Sequence, residues 1–474
     1  MPLSQQVDLC VIGAGAAGLS VAAGAAQLGI GVVLIEQDRM GGECLNTGCV
    51  PSKALLAAAK AAQMIRNAKS FGIGAEPLID FQRVHAHLRS VIDAIAPHDS
   101  VERFEQLGVE VIRGKVRFTG RRRIAVNGRE LRAHRVVIAT GSAPAVPRIP
   151  GLDQVPFFTN ETIFDTDSLP RHLVILGGGP NGIEIGQAYR RLGAAVTIIE
   201  RDKALSKDDP ELARPLLQRL ATEGVAIHEG ANLKAVARDG DSIILTVEEA
   251  GQEFELRGSH LFIATGRAPR TSGLGLEAAG IEYDENGIIV DNRLRTTARG
   301  IYAVGDVVNG PRFTHVASYH AGIVIRNALF RLPARIDYRS LPWVTYTDPE
   351  LAQVGMTEER ARNRYGDKVR VLRVPCAAND RAQTELHTEG MLKLVADARG
   401  RVLGASILGA HAGELAHLWV VAIEQKLKLR HVAQMIAPYP TWGELDKAAA
   451  AEFFKPLIAR PLTRAIARTL FRLP

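Results

Sequence analysis

Cysteine is scarce in this chain, with four in 474 residues. That is too few for a disulfide framework and excludes a small, stapled extracellular fold. No basic segment precedes an apolar core in the opening "MPLSQQVD", so no signal peptide is read there and a cytoplasmic place is expected. Leu9 to Ile35 carry no charge, a run long enough to imitate a membrane span. Gly and Ala dominate it, however, and a nucleotide-binding motif accounts for it better. Acids are missing from residues 455–474, where Lys455, Arg460, Arg464, Arg468 and Arg472 stand alone. These five make up most of the net charge of +7, which leaves the remaining surface near neutral and removes nucleic-acid binding as a function.

The length implies two to four domains, and 46% hydrophobic residues with 45 glycines fit a glycine-rich α/β chain. One pattern is written twice. "VDLCVIGAGAAGLSVAAGAAQLGIGVVLIE" reads as a strand, the turn Gly13-x-Gly15-x-x-Gly18, an Ala-rich helix and a second strand ending at Glu36. "HLVILGGGPNGIEIGQAYRRLGAAVTIIE" repeats it with Gly177, Gly179, Gly182 and Glu200, and each terminal Glu stands 23 positions after its first glycine. The first glycine makes the tight turn, the second admits a pyrophosphate to the backbone, and the third lets helix and strand pack closely. Helix N-terminal amides hold the phosphate charge, and the terminal Glu suits ribose hydroxyls. Two such units imply two dinucleotides. "VVIATGSAP" (136–144) and "LFIATGRAP" (261–269) add a further repeat, with Thr140-Gly141 in one and Gly266 in the other. "GIYAVGDV" (300–307) is another apolar strand, ending at Asp306.

"GGECLNTGCVPSK" (41–53) follows the first unit directly. Its two cysteines, Cys44 and Cys49, read as a redox pair, a metal site or two small core residues. Pro51 and the Ala-rich run after it mark a helix start. Cys49 then lies at a helix N-terminus, where the dipole and Lys53 favour a thiolate. Zinc would need two more ligands, and neither Cys10 nor Cys376 sits in a second pair. No metal site is therefore expected, and Cys10, inside an apolar strand, reads as core.

Together these segments resemble the flavoprotein pyridine nucleotide–disulfide oxidoreductases, the family of lipoamide dehydrogenase, glutathione reductase and mercuric reductase. The resemblance runs from about residue 5 to 450. It implies two Rossmann-like dinucleotide-binding domains and a C-terminal α+β dimerisation domain. FAD is expected on the first unit (1–150 and 271–341), NAD on the second (151–270), and a homodimer interface in 342–452, entered through "WVTYTDPELAQVG". By resemblance, Cys44–Cys49 is the redox disulfide, Cys44 the interchange thiol and Cys49 the thiolate facing the flavin. Lys53 and Glu184 match the ion pair beside the flavin ring. Glu200 favours NADH over NADPH, because it repels a 2′-phosphate, although Arg201 follows it.

One position departs from the family pattern. Thiol-reducing members carry His-Pro-Thr-x-x-Glu near the C-terminus, whereas this chain reads "YPTWGE", with Tyr439 in the histidine's place and Glu444 kept. Tyrosine titrates near ~10 and histidine near ~6.5, so Tyr439 is a poor base at neutral pH. The expected substrate is a dithiol or disulfide, small or protein-bound. Mercuric reductase-like metal-ion reduction is an alternative, since that enzyme resembles this chain in its tyrosine. It is weakened because no cysteine follows Cys376 and no N-terminal metal-binding extension is read ahead of the first glycine unit. A membrane-surface NADH:acceptor flavoprotein, delivering electrons to a quinone or protein, is the other. The tail 453–474 underlies that reading: Leu462, Ile466, Leu470 and Leu473 fall within roughly 80° on a helical projection, opposite Arg464, Arg468 and Arg472. Such a helix either packs on its own interface domain or attaches through residues 456–474 to the inner face of an anionic membrane.

Overall fold

The computed structural model describes residues 5–473. Contacts divide the chain into two compact units: Met1–Gly178, Ala188–Arg201 and Gly230–Ile336 form the first, and Gly179–Gln187, Asp202–Glu229 and Asp337–Pro474 the second.

The uncharged run at the N-terminus is a strand, a helix and a strand rather than a membrane span. Gln5–Ile12 lies at the centre of a seven-stranded sheet, parallel to Val32–Glu36 on one side and to Arg129–Ile138 on the other. Ile301–Ala303 also pairs in parallel with Arg129–Ile138. Strands covered on both faces need continuous apolar runs, and Val32–Glu36 is buried throughout. Between the first two strands, the helix Ala16–Ala26 uses small residues to pack tightly: a Cβ on Gly24 would stand 2.6 Å from Ile325 Cδ1, on the helix Thr314–Ala328. Larger side chains would push the two helices apart.

The second glycine pattern builds a parallel set, His172–Leu176 between Ala195–Glu200 and His260–Ile263. An antiparallel sheet of Ala231–Asp239, Ser242–Glu249 and Gln252–Gly258 accompanies it. The two Ala-Thr-Gly repeats meet, because Ser142–Pro144 pairs antiparallel with Arg267–Pro269.

In the second unit, five antiparallel strands run in the order Pro342–Thr345, Glu350–Gly355, Val402–Gly409, Met391–Asp397, Val369–Pro375. The helix Ala412–Glu424 buries Trp419 in their core, and the Trp419 indole donates to Asp446 at 2.7 Å. Lys393 is buried and lies 2.8 Å from each of Asp209, Glu211 and Glu358. Three carboxylates compensate its charge, which a buried ammonium requires. The chain ends in the helix Pro461–Phe471, and every residue from 455 to 473 is exposed. Its leucines therefore do not pack on this unit. Among the described residues, no helix is long and apolar enough to cross a membrane.

Candidate active site

The first glycine of each turn meets the same constraint. Gly13 has φ +100° and Gly177 φ +115°, and a Cβ on either would collide with a carbonyl, that of Ala139 at 2.4 Å or of Ala264 at 2.5 Å. Glycine is thus required at each. A Cβ on Gly18 would sit 1.8 Å from the Gly13 carbonyl oxygen, which is the close helix–strand packing expected of the third glycine. Gly179 has nothing within 4 Å of a built Cβ, and Gly15 only the Cα of Gly42 at 3.9 Å. Backbone left open at a helix start fits the pyrophosphate of a dinucleotide. Glu36 accepts from Ala14 N at 2.6 Å and Glu200 from Gly178 N at 2.6 Å, so each acid also ties its strand end to its own glycine turn.

The cysteine motif lies directly against the first turn. A Cβ on Gly42, itself at φ +58°, would stand 2.7 Å from Gly15 Cα. Cys44 follows in the short helix Gly42–Asn46, and Cys49 is the first residue of the helix Cys49–Asn67. Both are free thiols, Cys44 half-buried and Cys49 exposed. A hydrogen bond to Cys49, then burial, holds the Cys44 thiol well above the usual range, so Cys44 keeps its proton beside Cys49. Cys49 Sγ lies 3.3 Å from Thr314 Oγ1. Its place at a helix N-terminus favours negative charge on that sulfur. By contrast, burial pushes the thiols of Cys10 and Cys376 up to about 12, and both are inert core residues.

Four participants were not picked out from the sequence. Glu43 pairs with Arg267 and accepts from Asn160 Nδ2 at 2.9 Å. Arg267 Nε donates to Ser142 Oγ at 2.7 Å, and Ser142 Oγ donates in turn to Asp306 Oδ2 at 2.7 Å. The signals were present: Glu43 is the only acid inside the cysteine motif, and Arg267 follows Gly266. Thr140 and Gly141 bracket the same crossing, with the Thr140 hydroxyl donating to Arg270 O at 2.8 Å and Gly141 O accepting from Arg270 N at 2.9 Å. Gly266, at φ +138°, accepts from Ala145 N at 3.0 Å. Lys53 lies half-buried on the Cys49–Asn67 helix of the first unit.

Glu184 belongs to the second unit, on the helix Pro180–Leu192 with Gly182, and accepts from Tyr346 N at 2.8 Å. Tyr439 is exposed, and its hydroxyl donates to Asp380 Oδ2 at 2.9 Å. That bond, and the negative charge of Asp380, raise the tyrosine's pKa and keep it a donor. Glu444 starts the helix Glu444–Glu452 and accepts from Thr441 N at 3.5 Å. Tyr439 is thus hydrogen-bonded to Asp380, a residue with no sequence signal, while Glu444 holds backbone.

Burial raises the Glu43 carboxyl from 4.5 to about 7, assisted by Asp306 and Cys49 and opposed by Arg267. A carboxyl raised in this way binds its proton more tightly folded than unfolded. Its stabilising contribution is complete below 4.5 and is lost as pH rises through about 7. The melting temperature of Glu43→Gln, taken relative to the parent, should therefore climb across that window and level off above it. A difference that stays flat with pH would sink the assignment.

Residues 7–321 match the family described as pyridine nucleotide-disulphide oxidoreductase, and residues 341–450 match its dimerisation domain. A mercuric reductase of Streptomyces lividans is 37% identical over 456 residues, covering 94% of this chain and 96% of that protein. A dihydrolipoyl dehydrogenase of Thermus scotoductus is 38% identical over 459 residues, covering 94% and 97%. The Cu(II) complex of the HOCl-induced flavoprotein disulfide reductase RclA from Escherichia coli superposes with a TM-score of 0.85 at 29% identity, covering 94% of this chain and 99% of that one. This chain belongs to the pyridine nucleotide–disulphide oxidoreductase family and is an FAD- and NAD(P)-dependent oxidoreductase acting on sulfur groups.

Proposed function

We infer that the enzyme couples NAD(H) to a dithiol or disulfide substrate through Cys44 and Cys49. The observation that carries this reading is the hydrogen-bonded cysteine pair seated against the first glycine turn. In this reading residues 1–150 and 271–341 hold FAD, through Gly13, Gly15, Gly18, Glu36, Thr140, Gly141 and Asp306. Residues 151–270 hold the nicotinamide cofactor, through Gly177, Gly179, Gly182, Glu200 and Gly266, and 342–452 form the homodimer contact. Bound FAD supplies two-electron exchange between the nicotinamide and the cysteine pair. Cys44 attacks the substrate disulfide as its proton passes to the departing sulfur, which releases one thiol and forms a mixed disulfide. Cys49 thiolate then attacks the Cys44 sulfur and closes the Cys44–Cys49 disulfide, and the second substrate sulfur leaves as a thiolate that takes its proton from solvent. Two electrons pass from the cysteine pair to the substrate. Lys53 orients the flavin ring in this scheme.

Anaerobic NADH titration tests it. The parent should develop the long-wavelength absorbance of a thiolate against flavin. Cys44→Ser should keep flavin reduction by NADH and lose disulfide reduction. Bleaching without that band in the parent, or full disulfide turnover in the variant, overturns the reading.

NADH is the preferred nicotinamide here. The Glu200 carboxylate, held by Gly178 N, suits a ribose 2′-hydroxyl and opposes a 2′-phosphate. Measured kcat/KM should be higher for NADH, and a higher value for NADPH would reverse the assignment.

Tyr439 supports a second reading, reduction of a soft metal ion such as Hg(II) or Cu(II) at the cysteine pair. A hydroxyl donating to Asp380 does not take up a thiol proton near neutral pH, and thiolate–metal chemistry has no need of such a base. If this side chain limits thiol substrates, Tyr439→His should raise turnover with small dithiols or disulfides, towards the ~10² to 10⁴ that acid–base assistance supplies. The absence of any gain would mean that site geometry sets the substrate instead.

A further inference from the structure

The C-terminal helix lies outside the residues assigned to the redox reaction, and its composition is one-sided. Leu462, Ile466, Leu470 and Leu473 are between 50% and 71% exposed, and they share one side of the helix Pro461–Phe471 and its first following turn. Arg464, Arg468 and Arg472 lie on the other side, with Arg460 at the N-cap. Lys455 is neutralised by Glu452, the last acid in the chain, and among the described residues the four arginines form no ion pair. A helix packed on protein would bury its leucines, whereas here nothing from 455 to 473 is buried. The match to the dimerisation domain also ends at residue 450, ahead of this segment.

We propose that Pro461–Leu473 is an interfacial helix that attaches the enzyme to a membrane surface rich in anionic phospholipid. The leucine stripe enters the boundary between headgroups and acyl chains, while the arginines meet lipid phosphates. Charge complementarity favours this occupant over a second copy of the chain, since every charge on the helix is positive, although exposed Phe471 interrupts the arginine side. An isolated helix of 11 residues is marginal in water and binds weakly alone. A homodimer presents two such helices, and the second attachment is intramolecular once the first has formed. The proposal does not depend on the substrate assigned above.

Co-sedimentation of the full-length, FAD-loaded enzyme with extruded vesicles tests it. Binding is expected to phosphatidylcholine vesicles containing phosphatidylglycerol and not to phosphatidylcholine alone, and it should weaken as salt screens the charges. Arg464→Gln should lower the partition coefficient roughly fivefold, and adding Arg468→Gln should lower it by about as much again. Ile466→Ser with Leu470→Ser should lower it at unchanged charge. Deleting residues 456–474 should abolish binding while NADH oxidation in solution and the dimeric mass in sedimentation equilibrium persist. Equal vesicle binding by the truncated enzyme would overturn the proposal. Dissociation of the truncated dimer would overturn it as well, because the second copy would then be what covers the stripe.

Discussion

An extra carbon on Gly42 would stand 2.7 Å from the Cα of Gly15, and the chemistry of this chain depends on the absence of that atom. With no side chain on either glycine, the backbone of the cysteine motif rests on the backbone of the first dinucleotide turn. Cys44 is consequently delivered by the short helix Gly42–Asn46, which begins at this contact, and Cys49 opens the 19-residue helix Cys49–Asn67 that follows. A side chain at position 42 would push the cysteine motif off the first glycine turn.

Around the sulfurs, charge is arranged unevenly. The Glu43, Arg267, Ser142, Asp306 chain gathers two carboxylates and one guanidinium, so the acid beside the cysteines is incompletely compensated. Negative charge near a sulfur resists a second negative charge, and Cys44 retains its proton chiefly because Cys49 accepts it. The helix that starts at Cys49 works in the opposite sense and favours charge on that sulfur. Two chemically identical side chains thereby stand in different electrostatic surroundings.

The second unit carries the opposite kind of choice. Asn379 Nδ2 donates to Thr441 O at 3.1 Å, and the Trp442 indole donates to Glu385 Oε2 at 2.9 Å, so the segment bearing Tyr439 is stapled to the helix Asp380–Thr384. Tyrosine in the histidine's position is therefore a held hydrogen-bond donor rather than a mobile base.

Much of the molecule was legible along the chain. The two glycine turns, their terminal acids, the helix start at Cys49 and the amphipathic tail are all local: each depends on residue spacing within one element, where periodicity and the need for a bare Cα are visible in the letters themselves. The apolar run at 9–35 was read correctly for the same reason, since its glycines sit where a turn requires them. Pairings across the fold were not legible. Arg267 reaches Glu43 across 224 residues, and Asp380 meets Tyr439 across 59. Ser142 meets Arg267 because the two Ala-Thr-Gly segments pair, and it meets Asp306 because Ile301–Ala303 lies beside Arg129–Ile138. No periodicity encodes such contacts. They follow from which strands lie side by side after parallel crossovers, and from the burial that forces each charge to find its partner. The sequence by itself determined the cradles and the cysteines. The tertiary structure decided which charges surround them, which cysteine keeps the proton, and that the tail's leucines remain uncovered.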